Sequence, residues 1–399
     1  MIKRLILRHN LLSLSMDFLP FYQDYLQSAL SKSKFLLLHI LVWLLQVHKQ
    51  VRIERLAAYL PIPILYESRR KKIQRFLVEP CLSLVLFWFP LIKLIVEREF
   101  KPGSRLTLVL DRTQWKDKNV FMISVVWRKR SLPIYWVLLE KKGSSNVKEQ
   151  IALIRPVLRL FSHYELVVLG DREFHGVELS YWLKKRNRTA KNPIYFAFRE
   201  RKDVYIRRSK NNQKRFQDLN LIPGIKVFEK NIFVTKQKGF GRFNVLAYQK
   251  RKYKNHTEEE PWFIITNLDD ASEVIKYYKM RGGIEAMFRD YKSGGYNLEG
   301  SKASITRLTN LILLIAIAYT TSALKGKSIK NQGYQKYISR LTDPKRQVRR
   351  HSDFWVGLYG QSWILAWDFC SFITEELMKL NWHKINEYKR GLKALIAIS

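Results

Sequence analysis

The chain has 399 residues, of which 72 are Lys or Arg and 34 are Asp or Glu, giving a formal net charge of +38 at pH 7. Hydrophobic residues make up 47% of the chain and aromatic residues 13%, which excludes wholesale disorder because so much apolar material can form folded cores. A charge this far from zero predicts a polyanionic partner, with nucleic acid the first candidate and an anionic membrane surface the second.

Cysteine usage and hydropathy bear on where the protein works. The only two cysteines, Cys81 and Cys370, are far apart in the chain. We therefore expect neither a disulfide scaffold nor a zinc ribbon, and we expect a cytoplasmic location. The longest apolar stretch, residues 308–324, is broken by polar residues and falls short of the roughly 20 apolar residues that a membrane span needs. We expect it to be a buried core helix, and we expect no membrane partner.

The first 100 residues have the pattern of helices. Residues 53–60 carry apolar side chains at helical spacing, two prolines follow, and a basic segment, residues 65–77, predicts a second helix. This order resembles a helix-turn-helix arrangement, which predicts a DNA-binding region over residues 1–100. A basic solvated face on a packing helix explains the same pattern equally well.

Beyond residue 100 the pattern changes to strands. Three strands, a helix, a strand, a helix and a strand are predicted in that order, which describes a mixed α/β sheet. The predicted segments are 106–110, 120–127 and 134–139 for the first strands, 147–161 for the helix, and 166–169 and 194–198 for the last strands.

Two aspartates follow buried strands of this sheet. Asp111 ends the first strand and Asp171 follows the fourth, and carboxylates at the ends of such strands lie in the crevice where ligands bind. Either residue alone is more typical of a cap on the next element. Two of them in so basic a chain favour a Mg²⁺ site, because hard cations take oxygen ligands, and two ions about 4 Å apart can activate an attacking oxygen and stabilise a leaving one.

The segment of residues 200–267 has short strands separated by turn residues, which predicts a β-rich insertion. Between residues 184 and 254 there are 22 Lys or Arg and only four Asp or Glu, so nearly half of the excess charge is concentrated there. Such one-sided charge favours contact with phosphates, and the aromatic residues among the cations suit stacking on bases.

A third carboxylate comes from helical geometry. Residues 271–292 have a helical pattern, and on one helix Tyr278, Arg281, Glu285 and Lys292 fall within an arc of about 60°. This predicts a metal-binding Glu285 beside a phosphate clamp. A solvated salt-bridge face is the alternative, because Arg281 and Glu285 are an i,i+4 pair.

The spacing Tyr-x2-Arg-x3-Glu-x6-Lys of these four residues resembles the signature of the DDE-type bacterial insertion-sequence transposases called the insertion-sequence-four family. Residues 110–115 and 169–174 resemble that family's two aspartate blocks. The resemblance implies an α/β fold: a ribonuclease-H-like (retroviral-integrase-like) catalytic core with a β-rich insertion, flanked by helical N- and C-terminal regions. The implied boundaries are 1–100 (helical, DNA-binding), 101–199 and 268–325 (core), 200–267 (insertion) and 326–399 (helical).

The resemblance also implies an activity. Asp111, Asp171 and Glu285 would be the catalytic residues and would hold Mg²⁺ or Mn²⁺, as two ions, to cleave the ends of the element. A DNA hairpin would form as an intermediate, and the 3′-hydroxyl ends would then be joined to target DNA. The implied partners are double-stranded DNA, as terminal inverted repeats and as target, and a second copy in a synaptic homodimer at the bacterial nucleoid.

The same resemblance assigns DNA contacts. Tyr278, Arg281 and Lys292 would hold DNA near the cut, and Trp262, in the segment 261–266, would stack on a flipped base. For Trp262, a place in the core of a strand is as good an interpretation. For the whole chain, the alternatives are a catalytically inactive DNA-binding derivative and a structure-selective nuclease with the same core.

Overall fold

The computed structural model describes residues 18–141, 143–174, 177–209, 212–235, 239–251, 260–342 and 350–399. The chain forms two compact units. One, here called the sheet unit, comprises residues 92–289. The other, the helical unit, combines residues up to 91 with residues from 290 onward. The helical unit therefore takes in parts of the predicted core and of both predicted flanks, and the first 17 residues of the predicted DNA-binding region lie outside the described chain.

The sheet unit contains ten strands in one sheet, ordered β3-β2-β1-β4-β5-β10-β9-β8-β6-β7. The strands are β1 Arg105–Trp115, β2 Lys118–Trp127, β3 Arg130–Leu139, β4 Glu165–Gly170, β5 Ile194–Arg199, β6 Tyr205–Ser209, β7 Asn212–Arg215, β8 Lys226–Val234, β9 Arg242–Tyr248 and β10 Trp262–Thr266. Strands β1 to β3 are antiparallel, whereas β4 runs parallel to both β1 and β5. The predicted mixed α/β sheet, with its order of strands and helices, is confirmed.

Helices connect and flank these strands. Helix α6 Val147–Leu160 connects β3 to β4, and helix α7 Val177–Thr189 connects β4 to β5. Helices α8 Ala271–Lys279 and α9 Gly282–Tyr291 follow β10, and α9 ends in the helical unit. Helix α6 begins with a capping box in which Asn146 and Glu149 bond each other's backbone N–H groups. Helix α6 contacts β2, β3 and α7, and α7 contacts β5, so the two helices pack on the sheet and on each other.

Strand β1 is longer than the sequence predicts. It continues past Asp111 to Trp115, and Asp111 pairs with Met122 of β2. The prediction that the strand ends at Asp111 is wrong, because pairing with β2 keeps the polar residues after it in the ladder.

The strands between residues 200 and 267 belong to the same sheet as the aspartates. Strand β10 pairs antiparallel with β5, and β9, β8, β6 and β7 follow outward from it. One of these strands, β8, is nine residues long and contains a bulge after Glu229.

The predicted continuous helix over residues 271–292 is two helices. Helix α8 ends at Lys279 and α9 begins at Gly282. The backbone between them makes i→i+3 bonds, such as Arg281 N–H to Tyr278 O at 3.1 Å. The two adjacent glycines explain the break, since glycine is a poor helix former. A single helical projection from Tyr278 to Lys292 therefore does not apply.

The helical unit is built from α1 Pro20–Ala29, α2 Lys32–His48, α3 Ile53–Tyr59, α4 Tyr66–Phe76, α5 Phe89–Glu99 (which ends in the sheet unit), α10 Ile305–Asn331, α11 Gln335–Ile338, α12 Asp353–Leu380 and α13 Ile385–Ile398. Helices α10 and α12 cross with backbones in close contact, and a Cβ added at Gly326 would lie 1.8 Å from the carbonyl oxygen of Asp353. Nearby, Lys330 and Asp353 form a buried ion pair at 2.9 Å.

Helix α10 is long and apolar enough to cross a membrane by length and composition, but 83% of its most apolar window is buried inside the protein. Leu308 and all residues from 311 to 324 are buried. The helix is therefore the buried core helix that the sequence predicts. The bent pair of α2 and α3 passes the same test only if both are taken as one span.

Candidate active site

Asp111 and Asp171 lie at the same level on two neighbouring parallel strands. The last aligned pair of β1 and β4 is Val109 with Leu169, and each aspartate is two residues beyond it. The carboxylate of Asp111 accepts a hydrogen bond from the N–H of Arg112 at 2.8 Å, and that of Asp171 accepts one from the N–H of Glu173 at 2.9 Å. Hydrogen bonds from nearby backbone N–H groups therefore fix the side chains of both aspartates next to each other on β1 and after β4.

The carboxylate of Asp111 is in an unfavourable electrostatic environment. Burial, together with the negative charge of Asp171, raises its pKa to about 7, against the lowering effects of the Arg112 N–H group and the Arg281 guanidinium. Glu285 adds a smaller raising effect. Two carboxylates that repel each other at a buried strand end form a site that gains from a bound cation.

Arg281 supplies positive charge beside the carboxylates. Its guanidinium makes a 2.6 Å ion pair with Glu285. Burial opposes the charged form, yet the negative charges of Glu285, Asp111 and Asp171 are among the groups that raise the pKa of Arg281. The structure therefore brings all four side chains into one electrostatic neighbourhood, with a guanidinium shared by three carboxylates.

The placement of Glu285 depends on a close approach of α9 to the β2–β3 turn. A Cβ added at Gly283 would lie 2.9 Å from the carbonyl oxygen of Arg130 and 2.9 Å from the Ser131 hydroxyl. Only glycine allows this approach, so the pair Gly282–Gly283 both breaks the helix and seats α9 against the sheet.

No three His, Cys, Asp or Glu side chains within the described ranges lie close enough together to hold a metal ion. The side chain of Glu285 is 51% exposed and bonded to Arg281. The donor set itself fits a hard divalent cation, because carboxylate oxygens are the ligands that Mg²⁺ prefers. Glu285 would have to leave Arg281 to join the two aspartates.

A second ion pair joins the two aspartate segments. Arg112, next to Asp111, pairs with Glu173, two residues after Asp171. The guanidinium of Arg112 also donates to Asn119 at 3.0 Å, while Glu173 accepts from the N–H of Ser145 at 3.2 Å. The side chain of Glu173 is only 11% exposed, so this network links the middle of β1 to the segment that follows β4.

Tyr278 and Trp262 contact each other beside this site. Their rings lie 4.8 Å apart in an edge-to-face arrangement, and Trp262 pairs with Tyr248 of β9. Tyr278 is buried, burial raises the pKa of its hydroxyl to about 12, and the hydroxyl has no hydrogen-bond partner among the residues described. Trp262 is thus a strand residue, as one interpretation predicts, but it is only half-buried and does not lie in the core; it is also a neighbour of Tyr278.

Sequence reasoning missed two arginines at this site. Arg172 bonds Glu260 at 2.7 Å, and Arg199 lies 3.6 Å from the same carboxylate and donates to the Pro261 carbonyl at 3.0 Å. Both guanidiniums act electrostatically on Tyr278. The position of Arg172 directly after Asp171 was a usable signal, whereas Arg199 is brought in by the pairing of β5 with β10.

Lys292 lies just past the end of α9, in the helical unit. It forms a 2.8 Å ion pair with Glu299, and its side chain is 23% exposed. Its predicted place on one helix face with Tyr278 and Arg281 does not apply, because the helix breaks before Gly282.

In the strands that follow β5, many aromatic side chains are already paired with cations. Arg207 and Arg242 both lie over the ring of Phe233, Arg215 lies over Tyr205 and Lys250 over Trp262. These cation–π contacts stabilise the basic strands. The aromatic residues there are accordingly packing partners of the cations as well as candidate surfaces for bases.

The sheet thus carries two aspartates on neighbouring strands, beside the Arg281–Glu285 ion pair. The family model of the transposase DDE domain matches residues 103–321, more than half of the chain, so the chain belongs to the transposase DDE domain family. A search of curated proteins gives no match.

Among solved structures, the chain is similar to one described as a piggyBac transposase synaptic complex with hairpin DNA, with 13% sequence identity and a TM-score of 0.38. The match covers 78% of this chain and 61% of that one. The chain therefore matches less than two thirds of the length of that relative.

Proposed function

We propose that the protein is a DNA transposase of the insertion-sequence-four family that cleaves the ends of its own element and joins them to target DNA. The observation that carries the proposal is the alignment of Asp111 and Asp171 on neighbouring strands within the family match, next to the Arg281–Glu285 pair. The raised pKa of Asp111 supports a cation site there. We further propose that β1 to β5 form a ribonuclease-H-like core.

Asp111, Asp171 and Glu285 would hold the divalent ions, Mg²⁺ or Mn²⁺. When bound, such ions activate the attacking oxygen and stabilise the leaving one. The chain itself holds two of the carboxylates in place through backbone N–H groups. Release of Glu285 from Arg281 would free a carboxylate for metal and a guanidinium for phosphate, which Arg binds well.

Several cationic and aromatic side chains would hold DNA near the cut. Arg281 has the burial and charge for a phosphate contact, and the hydroxyl of Tyr278, which has no hydrogen-bond partner within the described part of the chain, can donate to DNA. Lys292 follows from the family signature, and Trp262 follows from the resemblance of the segment 261–266. On helix α4, Ile73 and Phe76 are buried while the basic residues Lys71, Lys72 and Arg75 are exposed, as suits a helix that lies against DNA.

The remaining steps come from the resemblance. The terminal inverted repeats would be bound by a synaptic homodimer, the freed 3′-hydroxyl would form a hairpin with the opposite strand, and the opened end would attack target DNA. All of this requires access to the bacterial nucleoid, which suits a cytoplasmic protein.

The test is the variant Asp111→Asn, compared with Asp269→Asn, whose side chain is 82% exposed on a loop. DNA carrying the element ends is incubated with each protein and Mg²⁺ or Mn²⁺, and nicks, hairpins and joined products are separated on gels. We expect Asp111→Asn to bind DNA and lose cleavage by about 10²- to 10³-fold, and Asp269→Asn to cleave at the wild-type rate.

Other outcomes select the alternatives. Cleavage by Asp111→Asn at the wild-type rate contradicts the assignment of the site. Binding without any cutting by the wild-type protein supports a catalytically inactive derivative, and cutting without joined products supports a structure-selective nuclease.

A further inference from the structure

A basic cleft lies in the sheet unit, away from the carboxylates. It has a volume of about 230 Å³ and is lined by four cations, Arg155, Arg159, Arg186 and Lys191, with no acidic residue among its lining residues. All four cations are exposed. Leu158, Leu166 and Ile194 are buried apolar residues that complete its walls.

The topology places the cleft at the N-terminal ends of β4 and β5, whereas Asp171 follows the C-terminal end of β4 and Asp111 lies beside it on β1. The cleft lies where α6 and α7 end and where β4 and β5 begin. Strand β4 has six residues, so about 20 Å separates its two ends at a rise of about 3.3 Å per residue.

Interactions within the protein do not account for the four cations. Arg159 and Arg186 lie in the last turns of α6 and α7, where one cation gains only about 0.3–1 kcal/mol from the helix dipole. Within the described residues, none of the four has an acidic partner. Four like charges around one cleft repel one another unless an anion lies between them.

Two aromatic residues add to the character of the cleft. Arg186 lies over the ring of Trp182 with its guanidinium 5.5 Å from the ring centre, which orients the cation at the rim. Tyr164, only 1% exposed, lines the cleft, and its hydroxyl has no hydrogen-bond partner among the described residues. The side chain of Asn192 bonds the Ser162 carbonyl at 2.9 Å and fixes the two loops that form the cleft.

We propose that this cleft binds backbone phosphates of DNA, as a second contact point remote from the carboxylates. A cavity of this volume is below the usual range of about 300–1,000 Å³ for small-molecule sites, so a phosphate with its sugar fits better than a whole nucleotide cofactor. The separation of about 20 Å corresponds to roughly six base pairs of duplex. The proposal rests on the proposed function, because it assumes that DNA is the substrate at the carboxylates.

The test compares Arg155→Gln/Arg159→Gln with Lys389→Gln/Lys393→Gln. Both double variants remove two exposed charges, but the second pair lies on α13. Binding of a duplex of 30 base pairs is measured over a range of salt concentrations in full-length protein, and circular dichroism confirms that each variant is folded. We expect the cleft variant to lower the magnitude of the salt slope by about 2, at about 0.9 per phosphate contact, while the control variant keeps the wild-type slope.

A competition arm separates DNA from small anions. A mononucleotide or inorganic phosphate is titrated against the wild-type protein, and we expect neither to displace the duplex at millimolar concentration. Tight mononucleotide binding that the cleft variant loses, with unchanged duplex binding, overturns the proposal. So does an equal salt slope in the two double variants. If the wild-type protein binds no DNA at all, the proposed function itself fails, and the two failures are thereby distinguished.

Discussion

Arg112 and Glu173 form an ion pair that connects the residue after one aspartate to the residue two places after the other. Each partner also bonds a further group, Asn119 for Arg112 and Ser145 for Glu173. The pair links the part of β1 that carries Asp111 to the segment after β4 that carries Asp171. We therefore regard it as the support that positions the two carboxylates.

Glu173→Gln tests this support. The neutral amide can still accept a hydrogen bond from Arg112 but loses the ionic attraction, so β1 and the segment after β4 are held together more weakly while the packing is kept. We expect DNA cleavage to fall by about 10- to 100-fold, the usual cost of removing such supporting groups, and the metal concentration for half-maximal activity to rise. Glu376→Gln, which breaks the exposed Glu376–Lys379 pair on α12, is the control and should leave both values unchanged. Equal activity in the two variants would contradict the positioning role.

The raised pKa of Asp111 predicts a pH-dependent effect on stability. Its folded-state pKa of about 7 exceeds the ordinary value of 3.8, so the folded protein binds this proton more tightly than the unfolded chain does. The contribution of the group to stability is full below about pH 4 and is lost as the pH rises through 7.

Asp111→Asn, which removes this titration, should therefore be more stable than the wild type at pH 8, by at most about 4 kcal/mol. The difference should disappear near pH 4. Thermal unfolding in the presence of a chelator, at pH 4, 6 and 8, measures it. A constant difference across these pH values would show that Asp111 is not the titrating group.

Gly283 and Gly282 offer a matched pair for the seating of α9. A Cβ at Gly283 meets the backbone of Arg130, whereas one at Gly282 meets nothing within 4 Å. We expect Gly283→Ala to destabilise the protein by about 1–3 kcal/mol through overpacking and to lower cleavage by displacing Glu285. Gly282→Ala should be neutral or stabilising by up to about 1 kcal/mol. Denaturant unfolding and cleavage assays of both variants test this, and the reverse order of stabilities would refute the proposed steric role.

The crossing of α10 and α12 provides a prediction for the helical unit. Cβ atoms added at Gly326 or Gly357 would overlap the carbonyl oxygens of Asp353 and Ser322, each at 1.8 Å. Gly326→Ala must therefore separate the helices, and we expect a loss of about 3 kcal/mol or more, at the upper end of overpacking costs. Gly391→Ala, in open space on α13, is the control and should stabilise slightly. Thermal unfolding of the two variants tests this prediction. Similar unfolding midpoints for Gly326→Ala and Gly391→Ala would contradict the close crossing of α10 and α12.

The strands were predictable because their apolar runs are long and their breaks are marked by turn residues. These patterns located β2 to β5, and they also predicted that Asp111 and Asp171 follow apolar strands of one sheet. The extension of β1 was not predictable, because Arg112 and Gln114 are polar and only their pairing with β2 keeps them in the ladder.

The break between α8 and α9 is indicated in the sequence by two glycines, but the helical periodicity predicted one continuous helix. The apolar spacing continues through residues 271–291, yet Gly282 and Gly283 sit in the middle of it. The Arg172–Glu260–Arg199 cluster had no such signal, since Arg199 and Glu260 are 61 residues apart and meet only because β10 pairs with β5. Local pattern predicts elements, while contacts of this kind depend on strand order.

The buried hydroxyl of Tyr278 makes Tyr278→Phe an informative variant. A buried hydroxyl without a partner costs about 1–3 kcal/mol, and Tyr278 is only 3% exposed. Removing it should leave the free protein as stable as the wild type or more so. If the hydroxyl is reserved for DNA, the same change should weaken binding of element ends by about fivefold or more, as expected for one lost hydrogen bond of about 1 kcal/mol. Tyr135→Phe, in β3, is the control for loss of a tyrosine hydroxyl. Reduced stability together with unchanged DNA binding would mean that the hydroxyl serves the fold, because a group held for the substrate affects the complex and not the free protein.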